Sequence, residues 1–111
     1  MMRADILDGL FATIAARKDA DTNQSYTASL LASAPEKPAR KLSEETTEVV
    51  IEAIRGDTEA VARESADLLY HLLVVWAAAG VKPEEVWQIL ADREGLSGLA
   101  EKASRGQNSD Q

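Results

Sequence analysis

The stretch KLSEETTEVVIEAI, residues 41–54, sets Glu44, Glu45, Glu48 and Glu52 among aliphatic residues. At about 100° per residue, Lys41 and these acids fall within a sector of roughly 100° on one helix face. Like charges three or four residues apart repel by a few tenths of a kcal/mol per pair, roughly. A helix that collects such repulsion either presents a solvated face or lacks a cation. A second acidic pair follows in ESAD, where Glu64 and Asp67 stand at i, i+3 and His71 shares their side at i+7. After Asp67 the chain turns apolar on nearly every side, through Leu68, Leu69, Leu72, Leu73, Val74, Val75 and Trp76. Carboxylates at the edge of such a run face the interior, where an uncompensated charge costs several kcal/mol, roughly.

The elements between the two pairs decide whether they meet. Pro38 suits the first turn of a helix running from about residue 38 to Arg55, and Gly56 suits its end. Asp57 or Thr58 can cap the next helix, which runs to about Ala79 and stops at Gly80. The link between them is very short, so the two helices form an antiparallel hairpin. Glu48 precedes Gly56 by about two turns and Glu64 follows it by about two, which puts the pairs at equal height at 1.5 Å per residue. Glu45, Glu48, Glu64 and Asp67 then offer hard oxygen ligands alone. They suit Mg²⁺ or Mn²⁺, which keep positions for water and a substrate phosphate. A ferritin-like di-iron site would need E-x-x-H, and the chain reads E-x-x-D. Four solvated surface acids remain the plain alternative at this point.

Around the hairpin, Ile6, Leu7, Leu10, Phe11 and Ile14 predict a first helix over about 4–18. Ser25 can cap a short helix beginning YTASLL, and a last helix starts near Pro83 and closes at Gly95. No strand pattern appears, so the fold class is all-α. The boundaries expected are one helical domain over 1–104 and a disordered tail over 105–111. One hairpin cannot cover a helix that is apolar all round, which predicts an antiparallel bundle completed by homodimerisation.

The bulk composition narrows the function. The 111 residues allow one domain. Net charge is -7, which speaks against a nucleic-acid partner. There is no cysteine, so disulfides and thiolate metal sites are excluded and a cytoplasmic setting is expected. Asp5 and Asp8 interrupt the N-terminal apolar positions, unlike a signal peptide. LLYHLLVVWAAAG is too short to span a bilayer, so no membrane is expected.

The residues carry a resemblance. EExxE followed by ExxD resembles the metal signature of the all-α nucleoside triphosphate pyrophosphatases, which include MazG and the dimeric dUTPases. SYTASLL at 25–31, KPARKLSEETTEVVIEAI at 37–54, ESADLLYHLLVVWAAAGV at 64–81 and SGLAEKASR at 97–105 resemble the phosphoribosyl-ATP pyrophosphatase branch. Thr46 and Thr47 depart from it, standing where alanine or valine is more usual. The resemblance implies hydrolysis of phosphoribosyl-ATP, an ATP-derived nucleotide, to phosphoribosyl-AMP and pyrophosphate. That is the second step of histidine biosynthesis, here in stand-alone form and as an all-α homodimer. A house-cleaning pyrophosphatase of the same fold, or a non-enzymatic acidic helical dimer, are the alternatives.

Roles follow from the resemblance and the chemistry together. Glu45, Glu48, Glu64 and Asp67 are the expected metal ligands. Glu44 is a fifth ligand, the base for the attacking water, or merely exposed, and Glu52 reads as solvated. Lys41 either bridges to Glu45 at i+4 or contacts phosphate. Arg17, Lys18, Lys37, Arg93, Lys102 and Arg105 are flanking cations, and the family blocks single out Lys37, Lys41 and Lys102. Tyr26, with Ser25 and Thr27, can close over base or ribose. His71 is expected to hold Asp67 in its ligating rotamer. Trp76 and Trp87 read as core or interface.

Overall fold

The computed structural model describes residues 5–94. Five helices form there: α1 (Ile6–Ala16), α2 (Tyr26–Ala32), α3 (Glu36–Arg55), α4 (Thr58–Ala79) and α5 (Pro83–Arg93). No strand occurs among the described residues, as the sequence pattern predicts. Residues 95–104, the expected tail at 105–111 and the expected stop at Gly95 lie outside the described residues.

Local chemistry sets the helix ends. Ser25 Oγ accepts the Ala28 N–H at 3.1 Å and opens α2. Asp57 Oδ1 accepts the Ala60 N–H at 3.0 Å and opens α4. Gly56 and Gly80, with φ of 76° and 79°, adopt the left-handed conformation that ends α3 and α4. Helix α3 starts two residues earlier than the proline signal suggested, with Pro38 in its first turn. That turn has free N–H positions, so a proline there costs no hydrogen bond. Glu85 Oε2 accepts the Lys82 N–H at 2.7 Å at the start of α5. Replacing Asp57 by alanine should lower stability by about 1 kcal/mol, the usual worth of a cap. Thermal denaturation will show a lower midpoint, while Asp57→Asn restores it.

The core gathers Ile14, Leu30, Leu73 and Val74, with Leu10, Phe11, Tyr70 and Trp76 packed against them. It therefore lies between α1, α2 and the second half of α4. Trp76 and Trp87 meet edge to face at 5.8 Å, and the Trp87 Nε1–H donates to Asp8 Oδ1 at 3.0 Å, which ties α5 to α4 and α1. Tyr70 O–H and Thr27 Oγ1 share a hydrogen bond at 2.5 Å that pins α2 to α4. A cavity of about 470 Å³ between α1, α2 and the end of α4 is lined by Phe11, Leu31, Val81 and alanines, with Lys18, Asp19 and Lys82 at its edge, and includes none of the expected metal ligands.

Helix α3 contributes nothing to that core. It packs along α4 more extensively than any other pair of helices, yet Pro38 is its one fully buried residue. Val50, Ile51 and Ile54 are exposed, Ile54 by 82%. At about 100° per residue Leu42, Val49, Ala53 and Ile54 share the sector next to the acids, which predicts them as the buried face of α3; the structure half-buries Leu42 and Val49 and turns Ala53 and Ile54 outward. The reason is rotational. The acidic and aliphatic sectors of α3 adjoin, and the half-buried strip is the seam between them, Leu42 and Val49 together with Glu45 and Glu52.

Candidate metal centre

The hairpin brings Glu45 from α3 against Glu64 and Asp67 from α4. One carboxylate oxygen of each lies within 4.8 Å of the other two. Glu45 and Glu64 are half-buried and Asp67 is exposed, so the trio sits at the mouth of the groove between the helices. Glu48 is exposed and lies outside the trio, although its charge reaches Glu64.

The electrostatics show what the arrangement lacks. Burial, then the charges of Asp67, Glu45, Glu48 and Glu52, push the Glu64 carboxyl above the usual range. A carboxyl moved upward by four others is one held too close to negative charge. An all-oxygen set of this kind fits a hard divalent cation, and its ligands come from two rigid helices.

Glu52 is part of this field and not simply wet. Its side chain is 17% exposed and leans toward Arg55 at 3.8 Å. On α3 Glu45 and Glu52 turn inward, while Glu44 and Glu48 of the same sector stay exposed.

Lys41 makes a different bridge from the one the spacing suggested. Its Nζ–H donates to Glu44 Oε1 at 3.2 Å, at i+3, which leaves Glu45 to the acidic trio. Hydrogen bonding and charge from Glu44, then the charges of Tyr26 and Glu45, raise the Lys41 pKa above its ordinary value. Lys37 is half-buried one turn earlier on α3, and Tyr26 opens α2. Arg17 ends α1 and is exposed, as is Lys18 just after it. Lys102 and Arg105 lie outside the described residues.

His71 is buried on α4, but it makes no hydrogen bond to Asp67. Its ring instead meets Tyr70 edge-on at 4.9 Å and Tyr26 edge-on at 6.3 Å. Burial and the Lys41 charge hold its pKa down, against the opposing pull of Asp67 and Glu44. The bond between Tyr70 and Thr27 also escaped the sequence reading. Its only signal was a phenol placed within a run of leucines, a side chain that needs a partner when buried.

Comparison with known proteins bears on what this geometry serves. Residues 7–94 match the family model described as phosphoribosyl-ATP pyrophosphohydrolase. The chain belongs to that family. It is 58% identical over 102 residues to the phosphoribosyl-ATP pyrophosphatase of Azospirillum brasilense, covering 92% of each chain. It is 55% identical over 101 residues to the protein of that name from Cereibacter sphaeroides strain ATCC 17029, covering 91% of this chain and 98% of the relative. Against the Granulibacter bethesdensis phosphoribosyl-ATP pyrophosphatase the identity is 53% over 100 residues, 90% of this chain and 62% of the relative. The phosphoribosyl-ATP pyrophosphohydrolase match spans the whole hairpin, so the acidic trio, Glu48, Lys41 and His71 all lie within it, whereas Lys102 lies beyond it. No described helix is long and apolar enough to cross a membrane.

Proposed function

We propose that this chain hydrolyses phosphoribosyl-ATP to phosphoribosyl-AMP and pyrophosphate, the second step of histidine biosynthesis, as a Mg²⁺-dependent homodimer in the cytoplasm. The observation that carries the reading is the meeting of Glu45, Glu64 and Asp67 across the α3–α4 hairpin within a chain of this family. Glu48, whose charge Glu64 already feels, completes the ligand set from the next turn of α3. Mn²⁺ would fit the same oxygens. A divalent ion held there neutralises charge on the triphosphate and makes water a better nucleophile.

The chain's own groups do the remaining work. Glu45 and Asp67, on separate helices, would hold the ion between them and so set where the phosphates lie. Glu44, exposed and paired with Lys41, takes the proton of the attacking water in this reading. The water oxygen bonds to phosphorus, the anhydride between the α and β phosphates breaks, and pyrophosphate leaves with the bonding pair. Lys37 and Lys41 supply positive charge along the same edge of α3, and Tyr26 stands over it from α2. Arg17 and Lys102 are the further phosphate contacts in this reading, each from a segment flanking the hairpin.

Pyrophosphate release from phosphoribosyl-ATP, ATP and dUTP, measured side by side with and without Mg²⁺, tests this. Release from phosphoribosyl-ATP alone, and only with metal, is expected. Preference for dUTP would make the chain a house-cleaning enzyme instead. No release from any of the three, together with no rise of the thermal midpoint on adding Mg²⁺, would leave an acidic helical dimer without enzymatic function.

A further inference from the structure

His71 has no task in the chemistry above. It is 6% exposed and is the one buried polar or charged residue among the described residues. Its Nδ1 is wholly buried and meets no hydrogen-bond partner among the described residues. Folded interiors pair nearly all such atoms, and an exception marks a place where a water, a ligand or a functional requirement intervenes.

The register of the hairpin places this imidazole. From Asp67 to His71, α4 advances four residues. From Glu45 to Lys41, α3 steps back four. Each step is about 6 Å at 1.5 Å per residue. Glu45 and Asp67 meet in the acidic trio, so Lys41 and His71 stand level one turn further along. Their electrostatics agree, because Lys41 is the charge that acts most strongly on His71, ahead of Asp67 and Glu44. Tyr26 lies edge-on to the ring from α2 at 6.3 Å and is itself 52% exposed. Tyr70 packs on it at 4.9 Å and is anchored to Thr27. The acidic cradle therefore continues into a corner made of a cation, an imidazole kept uncharged by its surroundings, and a half-exposed phenol.

Phosphate calls for charge, and Lys41 provides it. A neutral imidazole offers one donor and one acceptor, which matches a hydroxyl and not a phosphate. With the cleaved phosphates at the cradle, the group about one helical turn away along a nucleotide is its sugar. We propose that His71 is a specificity-determining residue that hydrogen-bonds a hydroxyl of the ribose next to the cleaved phosphates, beneath Tyr26. The assignment rests on the phosphoribosyl-ATP reading of the site.

The test compares kcat/KM for phosphoribosyl-ATP with its 2′-deoxy and 3′-deoxy forms, modified in the ATP ribose, using wild type and His71→Phe with Mg²⁺. A site built to bond a hydroxyl discriminates strongly against the analogue that lacks it. Wild type should lose about tenfold or more on one deoxy form, chiefly through KM. His71→Phe keeps the aromatic packing, should lose a similar factor on the parent substrate, and should treat parent and that deoxy form alike. A Phe variant that still discriminates as wild type does would reduce His71 to packing and overturn the proposal. Should the Phe variant not fold, wild type and His71→Gln, which retains a hydrogen-bonding edge, decide alone. Discrimination that wild type shows and His71→Gln weakens supports the assignment; a Gln variant that discriminates just as wild type does, or equal rates of wild type on all three substrates, overturns it. Absence of any release from the parent substrate is a different result, which sinks the underlying function and this assignment together.

Discussion

Glu64→Gln should abolish turnover while making the metal-free protein more stable at neutral pH. Both effects have one cause. Glu64 is the carboxyl against which Asp67, Glu45, Glu48 and Glu52 all press. Glutamine keeps the shape and removes the charge, so the repulsion falls and so does the affinity for a cation. Charge stabilisation by a bound ion is worth several kcal/mol in a transition state, which corresponds to a loss on the order of a thousandfold in kcat. The stability effect carries a definite sign in pH. The folded Glu64 pKa lies above its unfolded value of 4.5, so the folded state binds the proton more readily. Its contribution is present at low pH and is lost as pH rises through the folded value. Metal-free wild type should therefore gain stability as pH is lowered from 7 toward the carboxylate range, and Glu64→Gln should lose that part of the slope. Adding Mg²⁺ at pH 7 should raise the wild-type midpoint and leave the variant's nearly unmoved. Thermal melts at several pH values and one pyrophosphate assay measure all of this. A variant that keeps the Mg²⁺ shift would remove Glu64 from the ligand set.

The features legible in the sequence are those fixed within a few residues. Ser25, Asp57, Gly56 and Gly80 announce helix ends because a cap needs only a side-chain oxygen or a glycine at one place. The level meeting of Glu45 with Asp67 is legible too, because a constant rise and a short link fix the register of a hairpin. Which side of α3 faces α4 is not fixed that way. Its acidic and aliphatic sectors adjoin, and a rotation of a fraction of a turn exchanges them. Glu52 was consequently read as wet and Ile54 as covered, where the structure has the reverse. Lys41 had Glu44 and Glu45 at equally good helical spacing, and rotamers chose Glu44. His71 was expected on Asp67 for the same kind of reason, an i+4 spacing, and its two tyrosine neighbours hold the ring without that bond. Spacing along a helix says which partners are within reach; packing against the next helix decides among them.

Introducing glutamates at Ile51 and Ile54 together should leave the protein folded and monomeric. In this chain α3 has one fully buried residue out of 20 and shows Val50, Ile51 and Ile54 on its surface. Leu69 on α4, 40% exposed, adds to the uncovered apolar surface of the hairpin. Covering an aliphatic side chain of this kind is worth about 1.5–3 kcal/mol when burial is complete, so several together begin to offset the entropy cost of association. The acids supply the complementary argument. Glu45 and Glu52 turn inward on α3, and among the described residues no element covers Val50, Ile51 and Ile54, which a second chain could bury. That is the surface through which the proposed homodimer would form. Glutamates placed there would be stripped of water opposite apolar groups, at a cost of several kcal/mol, roughly. The core of Ile14, Leu30, Leu73 and Val74 lies elsewhere, so helicity should be preserved. Sedimentation at micromolar concentration should show a wild-type dimer and a monomeric double variant with the same circular dichroism. A wild type that sediments as a monomer, or a double variant that remains dimeric, would place the interface elsewhere or remove it.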